Sequence, residues 1–215
     1  METPELIFAT GNQAKLKQMA FVIARLGADV RLVNAHERYG DQANYDEEGD
    51  SPAAIAVRGA KMLARRLGTP IVVEDTSFHV DALGGRPGVQ AGAYLREKGR
   101  KGILEALKGQ VNRKAKIISA VAWAAPWGDT YTWVTAVEGW ITFEERWTEG
   151  MPEWVAPSPE NPLGGGYNAI FVPRGASRTL AEIPPPAAMA WGYREPNFCA
   201  VIAFMQEHAE RWVGG

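Results

Sequence analysis

The chain has 215 residues, of which 46% are hydrophobic and 22% charged, with a formal net charge of −2 and a pI near 6.0. These values are typical of a globular protein with a substantial core, and they exclude the basic footprint of a nucleic-acid-binding protein. The single cysteine, Cys199, cannot form an internal disulfide and suits a reducing compartment. We find no signal-like start and no apolar run long enough to cross a bilayer. We therefore expect a cytoplasmic protein with no nucleic-acid or membrane partner.

The first half of the chain alternates between apolar strands and amphipathic helices. "ELIFAT" predicts a buried strand, and apolar residues at helical spacing then predict a helix that stops at Gly27. After a second strand, "DVRLVNA", an acidic turn-rich stretch leads to Pro52, which suits the first turn of a helix over 52–67. Three further segments complete this half: the strand "TPIVVED", the loop "ALGGRPGVQAG" and the helix "YLREKGRKGILEALKG". The glycines Gly99 and Gly102 weaken the middle of this helix.

The second half is dominated by longer strands. "KAKIISAVAWAA" and "DTYTWVTAVEGWITFEER" predict a hairpin that turns through Pro126-Trp127-Gly128. A proline-rich loop or insertion, the short strand "AIFVP" and an amphipathic helix over 197–212 follow. The pattern predicts a mixed α/β fold over residues 1–215, a single domain of two lobes with a ligand cleft between them.

A possible anion-binding turn comes directly after the first strand. Gly11 allows close backbone approach, Thr10 or Asn12 can cap the next helix, and Lys15 can reach an oxyanion at its N-terminus. An ordinary strand-turn-helix connection with a surface lysine would look the same. The glycine spacing of a Walker loop is absent.

Two acidic segments are candidates for metal binding. Glu74 and Asp75 end the predicted strand "TPIVVED", where paired carboxylates suit Mg²⁺ coordination and water activation, although capping or solvated acids are also common there. Asp46, Glu47 and Glu48 read as a solvated charge run or as a complement to a helix dipole. They gain interest only if the fold brings them to Glu74 and Asp75.

Glycines and aromatic residues in the last quarter could contact a base. The glycines of "GGGYNAIFVPRG" allow the backbone to come close to a ligand. In the same segment, Tyr167 could stack on a base and the amide of Asn168 could form hydrogen bonds with it. In "WGYREP", Arg194 could meet a phosphate or a base oxygen. A flexible loop and a surface ion pair would explain the same residues.

Taken in order, these segments resemble the inosine triphosphate pyrophosphatase family over most of the chain, from about Leu6 to the final helix. "FATGNQAKL" is similar to the family's phosphate loop, and "VVEDTSFHVDALGGRPGV" is similar to its catalytic segment almost residue by residue. "GGYNAIFVP" and "TLAEIP" lie where the family recognises the base. The resemblance implies a central elongated mixed sheet with flanking helices, two lobes around a cleft, and a homodimer.

The resemblance also implies Mg²⁺-dependent cleavage of a nucleoside triphosphate into the monophosphate and pyrophosphate. By position, Thr10, Gly11, Asn12 and Lys15 would bind phosphates and Thr76 would contact substrate. Glu47 would bind the metal, and Asp75 would hold metal or activate water with the help of Glu74. Hydrolysis at the α-phosphorus needs a cation for the leaving pyrophosphate and a carboxylate to orient water, which agrees with this set.

The chain departs from the family mainly on the base side. Gly165 replaces an aromatic residue, Asn168-Ala169 an aspartate-proline pair, and Ala188 a basic residue. Gly192-Tyr193-Arg194 stands where the family has Ser-His-Arg. Gly59 stands where the family has a helix lysine, and the neighbouring Arg58 or Lys61 could take over the role of that lysine. These replacements remove donors that would face a 6-oxo purine, and a site without such donors cannot discriminate between bases in the same way. We therefore expect an altered base preference, with Tyr193, Trp191 or Tyr167 stacking and Asn168 reading a different base edge.

Two alternatives compete with a nucleoside triphosphate pyrophosphatase. One is the same scaffold acting on another phosphorylated small molecule. The other is a non-catalytic nucleotide-binding or sensor protein, against which the retained acidic set argues. The sequence does not decide whether residues 143–160 form a lid.

Overall fold

The structure, a computed structural model, describes residues 3–208. Strands and helices occur in the order β1 (Glu5–Ala9), α1 (Gln13–Leu26), β2 (Arg31–Asn34), α2 (Ala35–Tyr39), α3 (Pro52–Leu67), β3 (Ile71–Val80), β4 (Pro87–Gly88), α4 (Ala91–Ala106), β5 (Lys114–Ala124), β6 (Thr130–Ile141), β7 (Phe171–Pro173), α5 (Pro185–Ala188) and α6 (Glu195–Glu207). No helix among these residues is both long and apolar enough to cross a membrane.

The strands form one mixed sheet, which confirms the predicted mixed α/β class. Its order is β2-β1-β3-β5-β6-β7, with β4 added to β3. β1 pairs in parallel with both β2 and β3, whereas β4 runs antiparallel to β3 and β7 antiparallel to β6. In the β1–β3 register Ala9 lies opposite Val73, so the chain leaves β1 beside the residue that precedes Glu74.

The chain folds into two compact units. The first contains the described residues up to Asp75, then Ser119–Thr135, and then those from Arg194 onward. The second contains Thr76–Ile118 and Ala136–Tyr193. Each of β3, β5 and β6 therefore contributes residues to both units. The prediction of one domain made of two lobes is not tested by this division and stays a prediction.

The sheet of the first unit is buried on both faces because alternate residues enter two different cores. One core combines large strand residues with α1 and α6: Leu6, Phe8, Val72, Trp123, Met19, Val22, Phe198 and Ile202. The other combines small strand residues with α3: Ile7, Ala9, Val73, Ala120, Ala122, Ala56, Ala60 and Leu63. Burial on both faces explains why these strands read as continuous apolar runs.

The second unit has its own aromatic core. Phe78 of β3 stacks on Tyr167 with ring centroids 4.2 Å apart and meets Phe171 of β7 edge to face at 6.2 Å. Around these rings pack apolar residues from the surrounding helices and strands, among them Ile103, Leu107, Ile117, Ile141 and Leu180.

Three predicted helix features are confirmed. Gly27 ends α1 in the left-handed region at φ 59°, where glycine carries no Cβ penalty. Pro52 is in the first turn of α3, which spans the predicted 52–67 and is capped by Ser51. Gly99 breaks the helical geometry of α4 at φ 63°.

Other boundaries differ from the predictions. β3 continues to Val80 instead of ending at Asp75, because its later half pairs with β4. The expected acidic turn begins with the helical residues 35–43, since the side chain of Asn34 caps α2. α4 starts at Ala91, and the strand "AIFVP" is shortened by a 3₁₀ turn over Asn168–Ile170. Residues 209–212 of the predicted final helix lie outside the described residues.

Candidate active site

The turn after β1 is held by side-chain hydrogen bonds. Asn12 caps α1, and its Oδ1 accepts hydrogen bonds from the backbone N–H of Ala14 (2.9 Å) and Lys15 (3.3 Å). Thr10 Oγ1 in turn accepts from the N–H of Asn12 at 3.1 Å. A Cβ added to Gly11 would meet no described atom within 4 Å. The turn thus keeps an open face at the N-terminus of a helix, a position that favours anions.

Glu74 lies at the centre of a buried ionic network in the first unit. Its side chain is 0% exposed, and Oε2 lies 2.7 Å from Lys15 Nζ, which also donates to the Glu74 carbonyl at 3.2 Å. Oε1 lies 3.2 Å from Arg194 Nε and accepts a hydrogen bond of 2.8 Å from Ser119 Oγ. One carboxylate therefore holds two cations, and the trio keeps a net charge of +1.

The network is supported from α1 and α6. Gln18 Oε1 accepts from Arg194 Nη1 at 3.5 Å, and its Nε2 donates to Glu195 Oε1 at 2.7 Å. Burial raises the pKa of Glu195 above its ordinary value, although Gln18 and Arg194 favour the charged form. Asn197 Nδ2 donates to the Ser119 carbonyl at 2.9 Å. Arg194 is therefore fixed on the same carboxylate as Lys15.

Three carboxylates of the first unit act electrostatically on Tyr45. Burial raises the pKa of the Tyr45 hydroxyl, and Glu47, Asp75 and Glu74 raise it further, in that order. The carboxylates predicted from two distant segments therefore act on the same phenol. Within residues 3–208, however, no set of three His, Cys, Asp or Glu side chains is close enough to hold a metal ion together.

The donor chemistry still fits a magnesium ion held partly by substrate. Mg²⁺ is commonly bound by one or two carboxylates, water and phosphate oxygens. Glu47, which is exposed, and Asp75, which is half-buried, supply hard oxygen ligands of this kind. Glu74 already contacts Lys15, Arg194 and Ser119. A pair of carboxylates fits the ion better than the predicted set of three.

The predicted base-contacting residues of the second unit are buried. Tyr167 is 6% exposed and its hydroxyl donates to the Ala91 carbonyl at 2.9 Å. Asn168 is 7% exposed; its Nδ2 donates to the Val155 carbonyl at 3.1 Å, and its Oδ1 accepts from the Tyr193 hydroxyl at 3.4 Å. These groups are brought together, but as parts of a packed network, and their contact with a base stays a prediction.

The glycines before Tyr167 serve close packing within the second unit. A Cβ on Gly165, where φ is 69°, would lie 2.2 Å from the Val155 carbonyl oxygen, and one on Gly164 would lie 2.5 Å from that of Ala156. The backbone thus approaches another part of its own chain. Thr76, the remaining predicted contact, follows Asp75 on β3 and is half-buried.

The position of the missing helix lysine is filled by an aromatic ring. A Cβ on Gly59 would come within 2.7 Å of Tyr45 ring atoms. Arg58 forms an exposed ion pair of 3.0 Å with Glu48, and Lys61 is exposed.

Tyr45 and Ser119 were missed from the sequence. Ser119 could have been noticed as a hydroxyl inside the apolar strand "IISAVAW". Tyr45, in an acidic loop, carried no comparable signal, because its partner Gly59 is fourteen positions further along the chain.

Comparisons with known proteins agree on one family. A model of the Ham1 family matches residues 6–204. The chain is 34% identical over 180 residues to a dITP/XTP pyrophosphatase of Methanopyrus kandleri, covering 83% of this chain and 84% of that protein. It is 31% identical over 197 residues to a dITP/XTP pyrophosphatase of Pyrobaculum aerophilum, covering 92% and 94%. A solved HAM1 protein from Coxiella burnetii, 22% identical, superposes with a TM-score of 0.75 over 95% of this chain and 99% of that one.

Proposed function

The chain belongs to the Ham1 family, and from this membership and the site we propose that it hydrolyses nucleoside triphosphates to monophosphate and pyrophosphate. The relatives described as dITP/XTP pyrophosphatases support this reaction. The observation that carries the proposal is the network at Glu74: Lys15 and Arg194 are held side by side on one buried carboxylate, next to a helix N-terminus. A fixed surplus of positive charge at this place suits a polyanionic phosphate chain.

In the proposed reaction, a water oxygen bonds to the α-phosphorus while the bond to the bridging oxygen breaks. Pyrophosphate leaves with the electron pair, and the water proton passes to Asp75. Lys15, Arg194 and the backbone of the Thr10–Asn12 turn bind the phosphate oxygens and hold the chain of phosphates in line. Glu74 contributes by orienting the two cations.

Family membership supports dependence on a divalent cation, and we propose Mg²⁺. Glu47 and Asp75 would hold it together with phosphate oxygens. When bound, the ion would neutralise charge that develops on the leaving pyrophosphate. Titration of the protein with Mg²⁺ and other divalent cations during turnover tests this choice; full turnover in excess chelator would contradict it.

We further propose that the substrate is a non-canonical or modified, purine-type triphosphate, in the ribo or deoxyribo series, with a preference moved away from ITP and XTP. Asn168 offers an amide where the family pattern has an aspartate, and Tyr193 offers a phenol where it has a histidine. These exchanges replace charged or ionisable groups with neutral ones. Rates on a broad panel of triphosphates test the proposal, and ITP and XTP turned over far ahead of all others would contradict it.

The decisive experiment for the reaction itself uses Asp75→Asn. Wild-type protein with Mg²⁺ should release pyrophosphate from at least one triphosphate of the panel. The variant should lose ~10²-fold or more in rate, because a carboxylate that orients water has been removed, while nucleotide affinity is retained. Asp129→Asn, in the β5–β6 turn where Asp129 accepts from Trp127, is the matched control and should stay active.

A wild-type protein that binds triphosphates and releases no pyrophosphate would instead support the non-catalytic nucleotide-binding alternative. A homodimer located in the cytoplasm completes the proposal. Light scattering at several concentrations tests the dimer, and cell fractionation tests the location.

A further inference from the structure

A groove of the second unit lies where β5 begins and β6 ends. Its lining comes from two segments, within residues 111–114 and 140–146, and its volume is about 830 Å³. Small-molecule sites commonly have volumes of roughly 300–1,000 Å³. None of the lining residues belongs to the candidate active site, so the groove has to be explained by itself.

Phe143 forms an aromatic wall of this groove that is held in place from one side. Its side chain is 84% exposed, although a phenylalanine normally gains stability from burial. The Arg113 guanidinium lies over the ring, 4.3 Å from its centroid. Arg113 is itself fixed, because its Nε donates to the Ile141 carbonyl at 2.8 Å and its Nη1 to the Leu107 carbonyl at 3.3 Å. The opposite face of the Phe143 ring is therefore in solvent, where a planar group can stack on it.

Trp140 adds a second exposed ring to the same groove. It is 42% exposed, and its place at the end of β6 is fixed by pairing with Val172 of β7. Single exposed apolar side chains are common, whereas exposed aromatic residues that share one groove mark a binding site. Two such rings suit a ligand with a planar aromatic part.

The groove is positively charged in a protein that is negative as a whole. Arg113, Lys114 and Arg146 line it together with one carboxylate, Glu144, which gives a net charge of +2. The whole chain has a formal net charge of −2. Among residues 3–208, Lys114 and Arg146 have no ion-pair partner, and both are exposed. Their charges are therefore available to an anion that enters the groove.

We propose that this groove is a second nucleotide site, which binds a nucleoside monophosphate. The base stacks on Phe143 and Trp140. The phosphate pairs with Lys114 and Arg146. A neutral aromatic ligand would leave both cations uncompensated, and a small inorganic anion would leave both rings in water, whereas a mononucleotide satisfies the two features together. The proposed reaction releases a molecule of this class, but the groove binds it without any need for that reaction.

The test titrates the protein with adenosine 5′-monophosphate and follows the indole N–H signal of Trp140 by NMR, which Trp140→Phe identifies. The signal should shift until the site is saturated. Adenosine, which lacks the phosphate, and ribose 5-phosphate, which lacks the base, should each bind ~10-fold or more weakly. Lys15→Met should leave this titration unchanged, because Lys15 belongs to the candidate active site and not to the groove.

Two variants remove the two parts of the site. Phe143→Ala removes a ring, and Lys114→Met combined with Arg146→Met removes the unpaired charges; each should weaken binding of adenosine 5′-monophosphate ~10-fold or more. Trp147→Ala and Lys116→Met are the matched controls, since both residues are exposed and neither lines the groove. The controls should stay within twofold of wild type. Unfolding midpoints should stay close to that of wild type, because the replaced side chains are exposed.

Three results would decide the proposal in other ways. Affinity within twofold of wild type in both groove variants, or a Trp140 signal that does not move at millimolar nucleotide, would overturn it. A Trp140 signal that responds to protein concentration instead of nucleotide would assign the groove to a second copy of the chain and would also overturn it. A wild type that binds adenosine 5′-monophosphate in the groove and releases no pyrophosphate from triphosphates would contradict the proposed reaction alone and support the second site.

Discussion

At the scale of single residues, the candidate active site depends on the buried carboxylate of Glu74. An isolated buried carboxylate is strongly unfavourable, so the 0% exposed side chain of Glu74 needs its partners. Lys15 and Arg194, whose side chains are 17% and 15% exposed, compensate this charge. In the proposed reaction, Glu74 therefore acts on the substrate through these two cations.

Glu74→Gln tests this interpretation. The amide keeps the shape but removes the charge, so both cations lose a charged partner and the protein should lose about 1.5–3 kcal/mol of stability. Pyrophosphate release should fall as well, because Lys15 loses its charged partner and keeps only neutral acceptors such as the carbonyl of residue 74. Urea unfolding and a rate assay measure the two effects.

Ser119→Ala is the control for that variant. It removes one hydroxyl donor from Glu74 and leaves both cations, so the expected loss is about 1 kcal/mol. Equal stability and activity of Glu74→Gln and wild type would contradict the role given to the carboxylate.

Glu195 should make stability depend on pH. Burial raises its pKa above the ordinary 4.5, so the folded protein holds this proton more tightly than the unfolded chain. The corresponding stability is present below the unfolded-state pKa and is lost as pH rises through the folded-state value. Glu195→Gln, which preserves an acceptor for Gln18, should therefore gain stability over wild type at pH 7 and not near pH 4. Urea midpoints across this range measure the difference; a constant difference would count against it.

At the scale of elements, α3 packs closely on the sheet because alanine residues line both sides of the contact. Ala56, Ala60 and Ala64 of the helix and Ala120, Ala122 and Ala124 of β5 are all 0% exposed in one cluster. Side chains this small let the helix approach the strands closely, and close-packed protein interiors leave little room for larger side chains at such positions.

Ala60→Leu should therefore destabilise the protein by about 1–3 kcal/mol through overpacking. Ala54→Leu on the exposed side of the same helix is the control and should have little effect. Chemical unfolding of both variants checks the prediction, and a neutral Ala60→Leu would mean that the packing is looser than described.

The break in α4 has a structural use. After Gly99, Arg100 is 4% exposed and donates to the carbonyls of Pro162 (2.6 Å), Gly164 (3.3 Å) and Gly166 (2.8 Å), with Glu145 at 2.7 Å as its ion-pair partner. One guanidinium thus holds the glycine-rich segment that leads to the predicted base-contacting residues.

Arg100→Met should leave these carbonyls without their donor and cost about 3 kcal/mol. The segment around residues 160–166 should also become more sensitive to limited proteolysis. Lys101→Met, at an exposed neighbouring position, is the control. Unchanged protease resistance of Arg100→Met would refute the holding role.

At the scale of the whole molecule, the proposed phosphate chemistry belongs to residues of the first unit and the proposed base contacts to the second. Ligand binding should stabilise the folded protein by mass action. A non-hydrolysable triphosphate with Mg²⁺ at about 100 times its Kd should add about 2.7 kcal/mol. Thermal unfolding measures this gain, which should shrink for Lys15→Met; an unshifted midpoint in wild type would contradict nucleotide binding.

The sequence by itself determined the local features. Apolar periodicity and terminal residues such as Gly27, Pro52 and Gly99 located the helices, because these signals act within a few positions of the chain. The candidate anion-binding turn at Thr10–Asn12 and the acidic pair Glu74-Asp75 could also be recognised, since each is a contiguous motif. Even for the acidic pair, the predicted end of the strand at Asp75 was wrong. β3 continues past Asp75, because β4, which lies outside the motif, pairs with its second half.

Only the tertiary structure decided how those motifs are used. Arg194 contacts Glu74 across 120 positions of the chain, Tyr45 lies on Gly59, and Tyr167 and Asn168 are packed into a core. Each outcome depends on which distant side chains share a low-dielectric interior, and burial there sets the cost of every unpaired charge and polar group. Local patterns do not encode that shared environment; it exists only once the chain has folded.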